Sequence, residues 1–466
     1  MTGSRNRVGE ARQSLLRRAA EEVRRAFSEF LTIPTVIIAG FLLLAAAMYQ
    51  IDHVRMAERW PALMPGDHES IRTLLGTIAT SIITVTSITF SLLLLAVQQG
   101  AASLTAQVYD QFLRRRANQA YFGFFTGLAL YALVVLATVH PGYTPVYSAV
   151  LGFVLTAVAL YLLILLIYST IDQMRPVTIV QNIRDHTIAA RHRQCEQLRR
   201  AASAAQHSAD HATNVEARES GYLASFDAAA LAEAVRECGD AREIVIRRHV
   251  GDYISVGEVV AELRFAARPT DLDLDPVHDL LRLEEQRDLV RDPAFGIDQL
   301  VTIGWTAGST SKSNPHPAIL ACWNLRDLVA SWYPGAQDEA EESAQPDGAR
   351  VVYIDDVPEK LLAAFESLIV VASESLQHQT LAEAYRALAL AARRMPRSML
   401  PGIQGIVDRS LAALGEHVPT ADLDDAITML CGDLRGAGGN AAPLDEARER
   451  LRKSIGHLGS RSTRAE

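Results

Sequence analysis

The chain has 466 residues, 49% hydrophobic and 21% charged, with a net charge of −9. That length allows several soluble domains at about 150 residues each, but the charge is unevenly spread: residues 30–51, 73–109 and 117–171 contain no Asp, Glu, Lys or Arg. Uncharged runs of 22, 37 and 55 residues exclude a wholly soluble protein, and the acidic balance excludes the basic face of a nucleic-acid binder.

Residues 1–32 carry Arg5, Arg7, Arg12, Arg17, Arg18, Arg24 and Arg25, with Leu15, Leu16, Ala19, Val23 and Phe27 at helical spacing. They read as an amphipathic cytoplasmic helix ahead of an uncleaved first span. A hydrocarbon core of about 30 Å takes roughly 20 apolar residues of helix. Four segments supply them, 33–51, 78–97, 121–139 and 147–167, giving a four-helix transmembrane domain over 33–171. The longest run divides at the turn-forming residues 140–145, which hold two prolines and a glycine.

Arginine counts set the orientation. The N-terminal arm, the loop with Arg114, Arg115 and Arg116, and the stretch from Arg175 to Arg200 are basic, whereas the other two loops are balanced or uncharged. Both termini, and the body from residue 177 onward, are therefore expected in the cytoplasm of a cell whose inner membrane holds the chain.

The second span carries a pattern. Numbered at about 100° per residue, Thr73, Thr77, Thr80, Ser81, Thr84, Ser87, Ser91, Gln98 and Gln99 fall within an arc of about 120°. Such a stripe can line water, replacing part of an ion's hydration shell, or it can pack against another helix, where small residues allow close approach. The third span contains Gly123 and Gly127 in GxxxG spacing, a packing notch within or between subunits. None of the spans so delimited holds an Asp, Glu, Lys or Arg, which argues against a pump or charge-coupled transporter.

Beyond the spans, residues 177–270 read as a basic linker helix followed by a small β-rich module, with strands in 221–226, 243–249 and 251–263. Residues 271–456 read as mainly helical, with helices over 280–289, 296–306 and 318–332, a strand over 350–354, and a disordered tail over 457–466. The fold class is thus an α-helical membrane protein with four transmembrane helices plus a cytoplasmic α+β domain. In the loop 308–317, Ser311, Lys312, Ser313 and Asn314 precede a helix; this is N-cap chemistry that can also hold an anion. His207 and His211 flank Asp210 at metal-ligand spacing, but the polar, loop-like stretch around them favours a solvated pair over a metal site. No catalytic motif is evident, so neither an enzyme nor a cofactor is expected.

Two segments are familiar in combination. Residues 74–119, LLGTIATSIITVTSITFSLLLLAVQQGAASLTAQVYDQFLRRRANQ, and 291–319, RDPAFGIDQLVTIGWTAGSTSKSNPHPAI, resemble the bacterial membrane-protein family DUF2254 over most of residues 30–430. The resemblance implies four spans and a cytoplasmic domain, and it brings no activity. The chain departs from the family pattern after Asn314, where Pro315, His316 and Pro317 stand in place of the family's Asp, so no carboxylate role carries over there.

Two functions compete. One is a homo-oligomeric pore walled by Thr77, Thr80, Ser81, Thr84, Ser87 and Ser91, narrowed by Gln98 and Gln99, with Arg114, Arg115 and Arg116 at the inner mouth passing ions. The other is a non-conducting scaffold or sensor whose cytoplasmic part binds a partner or small anionic ligand.

Overall fold

A computed structural model of the chain describes residues 31–54, 68–103, 115–173, 175–208, 211–238, 241–267, 273–309, 314–334, 349–414, 417 and 420–453. The expected amphipathic helix up to residue 30 and the tail 457–466 lie outside the described residues. The chain divides into two units, residues 1–175 and 176–466.

The first unit contains four helices long and apolar enough to cross a membrane: α1 (Thr32–Val54), α2 (His68–Ser103), α3 (Arg116–Thr138) and α4 (Val146–Gln173). Helices α1, α2 and α4 cover their expected spans, and α3 covers its span up to Thr138, with Val139 as the extended cap. The other ends run past the apolar stretches, because a helix satisfies its own backbone polar groups in lipid and at the interface alike. Helix α3 is central and packs on α1, α2 and α4; 44% of its apolar window is buried, against 17%, 22% and 17% in the others. The glycine notch explains its contact with α1. A Cβ on Gly123 would stand 2.8 Å from the Cα of Pro34, and one on Gly127 would overlap the ring of Phe41. The notch is therefore filled within the chain. Phe41 completes the seam edge-on against Phe124, ring centres 5.4 Å apart.

The sequence places Asp52 in the loop after the first span; the structure puts it in the last turn of α1, 3% exposed. Its carboxylate accepts from the backbone N–H groups of Tyr147 at 2.9 Å and Ser148 at 3.0 Å, and from the Ser148 hydroxyl. The acid caps α4 through space: it satisfies amides that a helix start leaves without partners and sits at the positive end of the helix dipole. The Tyr131 hydroxyl donates to the Ser148 carbonyl at 2.9 Å and extends the clasp to α3.

The second unit opens with α5 (Pro176–Leu198) and continues into two sheets around α6 (Ala228–Glu237). One sheet has the order β1 (Ala212–Glu216), β5 (Val259–Phe265), β3 (Ala241–Ile246), β7 (Arg350–Val352); the other has the order β4 (Tyr253–Ile254), β2 (Gly221–Ser225), β6 (Arg282–Glu284). Among the described strands the β3–β7 pairing is parallel and the others are antiparallel. Leu223, Leu231, Ile244, Ile254, Leu263 and Val277 fill the core beneath. The helix expected over 280–289 is corrected: α7 (Asp275–Leu280) is short and β6 follows, with Leu283 opposite Leu223 in the ladder. Cross-strand packing overrides a weak local preference here. Strands β6 and β7 come from beyond residue 270, so the sheets draw on both sides of that expected boundary.

Helices α8 (Pro293–Gly308), α9 (His316–Trp332), α10 (Val357–Glu374), α11 (His378–Arg394), α12 (Leu400–Leu414), α13 (Ala421–Ala437) and α14 (Ala442–Lys453) complete the unit. Helix α5 packs on α8 and α9. Its Arg191, 8% exposed, donates to Asp355 at 2.8 Å and lies over the Trp332 ring. At the other end, Asp424 receives Arg448 and Arg452, each at 2.7 Å.

Two outcomes follow from these contacts. Gly127→Ala should destabilise the first unit by about 1–3 kcal/mol through overpacking, and Phe41→Ala in the same chain should relieve part of that loss in detergent unfolding curves. The hydrogen bonds from Arg448 hold the Asp424 carboxyl well below the usual carboxylate range. Its stabilisation is therefore complete above the unfolded value of about 3.9 and is lost as pH falls toward the lower folded value. Asp424→Asn should cost about 1–2 kcal/mol at neutral pH and flatten the acid limb of a stability–pH curve below about pH 4.

Candidate functional site

Helix α2 has two unlike faces. Ile71, Leu75, Ile78, Ala79, Ile82 and Leu93 are buried, on the side that packs against α3 and α4. Thr73, Thr77, Thr80, Ser81, Thr84, Ser87, Ser91 and Gln98 are all exposed. The stripe read from the sequence is therefore uncovered by any described helix of its own unit. The side chain of Gln99, and Arg114 altogether, lie outside the described residues.

Three of the hydroxyl protons are used locally. Thr77 donates to the Thr73 carbonyl at 2.7 Å, Thr84 to Thr80 at 2.8 Å and Ser91 to Ser87 at 3.0 Å. A hydroxyl bonded one turn back leaves its oxygen lone pairs outward. The face thus presents acceptors over the depth of the helix with no formal charge. Leu75 lies beside Tyr131 at Gly152, and Phe90 meets Phe122 at 5.4 Å, so α2 and α3 run antiparallel. Gln98 and the exposed Arg115 and Arg116 accordingly share one end of the unit.

In the second unit the family-like segment Asp292–Gly296 forms a joint. Asp292 is 2% exposed and starts α8, accepting from the Phe295 N–H at 2.9 Å, with Pro293 in the first turn. It also accepts from Arg287 Nε at 2.7 Å, while Arg287 Nη1 reaches Asp298 at 2.6 Å and the guanidinium lies 4.9 Å from the Phe295 ring centre. Burial pushes the Asp292 carboxyl up against the pull of Arg287. Burial likewise opposes the Arg287 charge, but Asp292 and Asp298 outweigh it. Gly251, at φ +94°, admits this pair to the sheet module: a Cβ there would stand 2.5 Å from Asp292 Oδ2. Gly296 faces α5, where a Cβ would overlap the Thr187 hydroxyl. Neither Arg287 nor Gly251 stood out in the sequence, because each acts through a partner remote in the chain or in an irregular turn.

The candidate ligand loop divides. Ser311, Lys312 and Ser313 lie outside the described residues. Asn314 is described, and its Oδ1 accepts from the His316 N–H at 3.0 Å, a local turn at the head of α9. Among the described residues no group of three or more His, Cys, Asp or Glu is placed to hold a metal ion.

A family model described as a predicted membrane protein, DUF2254, matches residues 28–380. The match runs from α1 through the Asp292 joint to the first residues of α11. No curated protein and no solved structure matches the chain.

The joint can be tested at its tightest point. Gly296→Ala should destabilise the second unit by about 3 kcal/mol, and Thr187→Ala should recover part of that in a double-mutant cycle. Strict additivity of the two changes in unfolding experiments would show that they do not touch.

Proposed function

The chain belongs to the DUF2254 family of membrane proteins, and we propose that it works as a homo-oligomeric channel in a bacterial inner membrane. The observation that carries this is the uncovered hydroxyl face of α2. Lipid offers hydroxyl oxygens no hydrogen-bond partners, whereas water or an ion does. Copies arranged about an axis with this face inward would wall a path with Thr77, Thr80, Ser81, Thr84, Ser87 and Ser91. Gln98 and Gln99 would form the narrow inner end. The wall carries no charge, so selectivity would fall to Arg114, Arg115 and Arg116, which favour anions at the inner mouth. Arginine counts put that mouth, both termini and the second unit in the cytoplasm, where the second unit would hold the oligomer together or gate it. No catalysis is part of this role.

A non-conducting scaffold is the second reading. The one-turn-back hydrogen bonds at Thr77, Thr84 and Ser91 support it, because they let the face close dry against a second copy.

Purified full-length chain in liposomes separates the two. A pore should pass ions, and Thr84→Phe should reduce the flux at least tenfold. Arg115→Gln with Arg116→Gln should shift the reversal potential toward cation permeability. Absence of flux, together with disulfide cross-linking of Thr84→Cys between copies in the membrane, would establish the dry interface and discard the pore.

A further inference from the structure

The second unit contains a cavity of ≈ 410 Å³ that neither role uses. Three arginines line it from separate segments: Arg193 on α5, Arg282 on β6 and Arg291 just before α8. Its apolar wall is formed by Phe226, Val250 and Leu280; Phe226 and Val250 are each 7% exposed and belong to the core beneath the sheets. This volume falls within the range of about 300–1,000 Å³ typical of small-molecule sites.

Two of the three lining arginines have no carboxylate partner among the described residues. Arg193 reaches only the Val290 carbonyl, and Arg291 approaches Glu284 at 3.4 Å. The Arg282 side chain makes no hydrogen bond or ion pair among the described residues, although its backbone belongs to the β2–β6 ladder. Two carboxylates, Asp227 and Asp279, also line the space. Asp227 is taken up by the start of α6, accepting from Ala229 N–H at 3.0 Å and Ala230 N–H at 3.2 Å. Arg193 and Arg282 are thus the two lining guanidinium groups with no carboxylate partner among the described residues, with Asp279 the one lining acid not engaged by a helix start.

We infer that this cavity binds a small organic anion, a phosphate or carboxylate carried on a single ring or short aliphatic body. The guanidinium groups provide paired donors that match a phosphate or carboxylate edge, and the Phe226–Val250 wall buries the apolar remainder. A bare inorganic anion leaves that wall wet. A bound anion would bridge α5 and β6 beside the Asp292 joint and so tie the linker helix to the sheet module. The site stands independently of the pore: it is read by binding, whether or not the chain conducts.

Isothermal titration of the full chain in nanodiscs with phenyl phosphate tests it, with benzyl alcohol and inorganic phosphate as comparisons. Phenyl phosphate should bind, and more tightly than either comparison. Arg282→Gln with Arg291→Gln should weaken it at least tenfold, with the thermal midpoint held as the check on folding. Ala230→Trp should fill the space and abolish binding without altering charge. The inference is overturned if phenyl phosphate gives no binding, if benzyl alcohol binds as tightly, or if the double arginine variant keeps the affinity. Equal affinity for inorganic phosphate overturns the apolar part of the assignment.

Discussion

The close approach of α1 to α3 organises the membrane unit. Two helix backbones come together at Gly123 and Gly127 because a Cβ at either position would collide with Pro34 or Phe41. With α1 seated there, α3 becomes the shared partner of α1, α2 and α4. Helix α2 buries Ile71, Leu75, Ile78, Ile82 and Leu93, and its hydroxyl side remains outward together with Ile83, Ile88, Leu92 and Leu95. The exposed stripe is thus a consequence of how the other three helices fit together.

The same unit shows how a buried carboxyl is held by hydrogen-bond donors, with no basic partner among the described residues. Asp52 is surrounded by donors that a helix start must place somewhere, the N–H groups of Tyr147 and Ser148. Removing the carboxylate would leave those amides unsatisfied in an apolar setting, where an unmade hydrogen bond is expensive. In the second unit Asp292 uses a related device, capping α8 while also accepting from Arg287. Both acids join elements distant in sequence, and both use backbone N–H groups at a helix start, to which Asp292 adds the Arg287 guanidinium.

The family-like segment over 291–319 therefore has a structural account. Asp292 supplies the cap, Pro293 the preset first turn, Phe295 the surface under Arg287, and Gly296 the close contact with Thr187. Its glycine and aspartate meet the needs of a three-way junction between α5, the Gly251 turn and α8.

The amino-acid sequence by itself determined the number and approximate extent of the spans, because long uncharged runs have no other stable place. It also determined the angular stripe on α2, since helical periodicity is a local property, and the presence of a mixed α/β body after the last span. It did not reveal the strand over 282–284, whose state is decided by its ladder with β2 rather than by its own residues. Nor did it reveal that Asp52 caps a helix almost a hundred positions away, or that the cavity arginines Arg193, Arg282 and Arg291 converge. Those depend on which elements become neighbours, a matter of long-range packing to which local pattern is blind. Tertiary structure alone decided that the notch of α3 is filled by α1 and that the hydroxyls of α2 are left exposed, because shape complementarity at two glycines fixed which faces were used up.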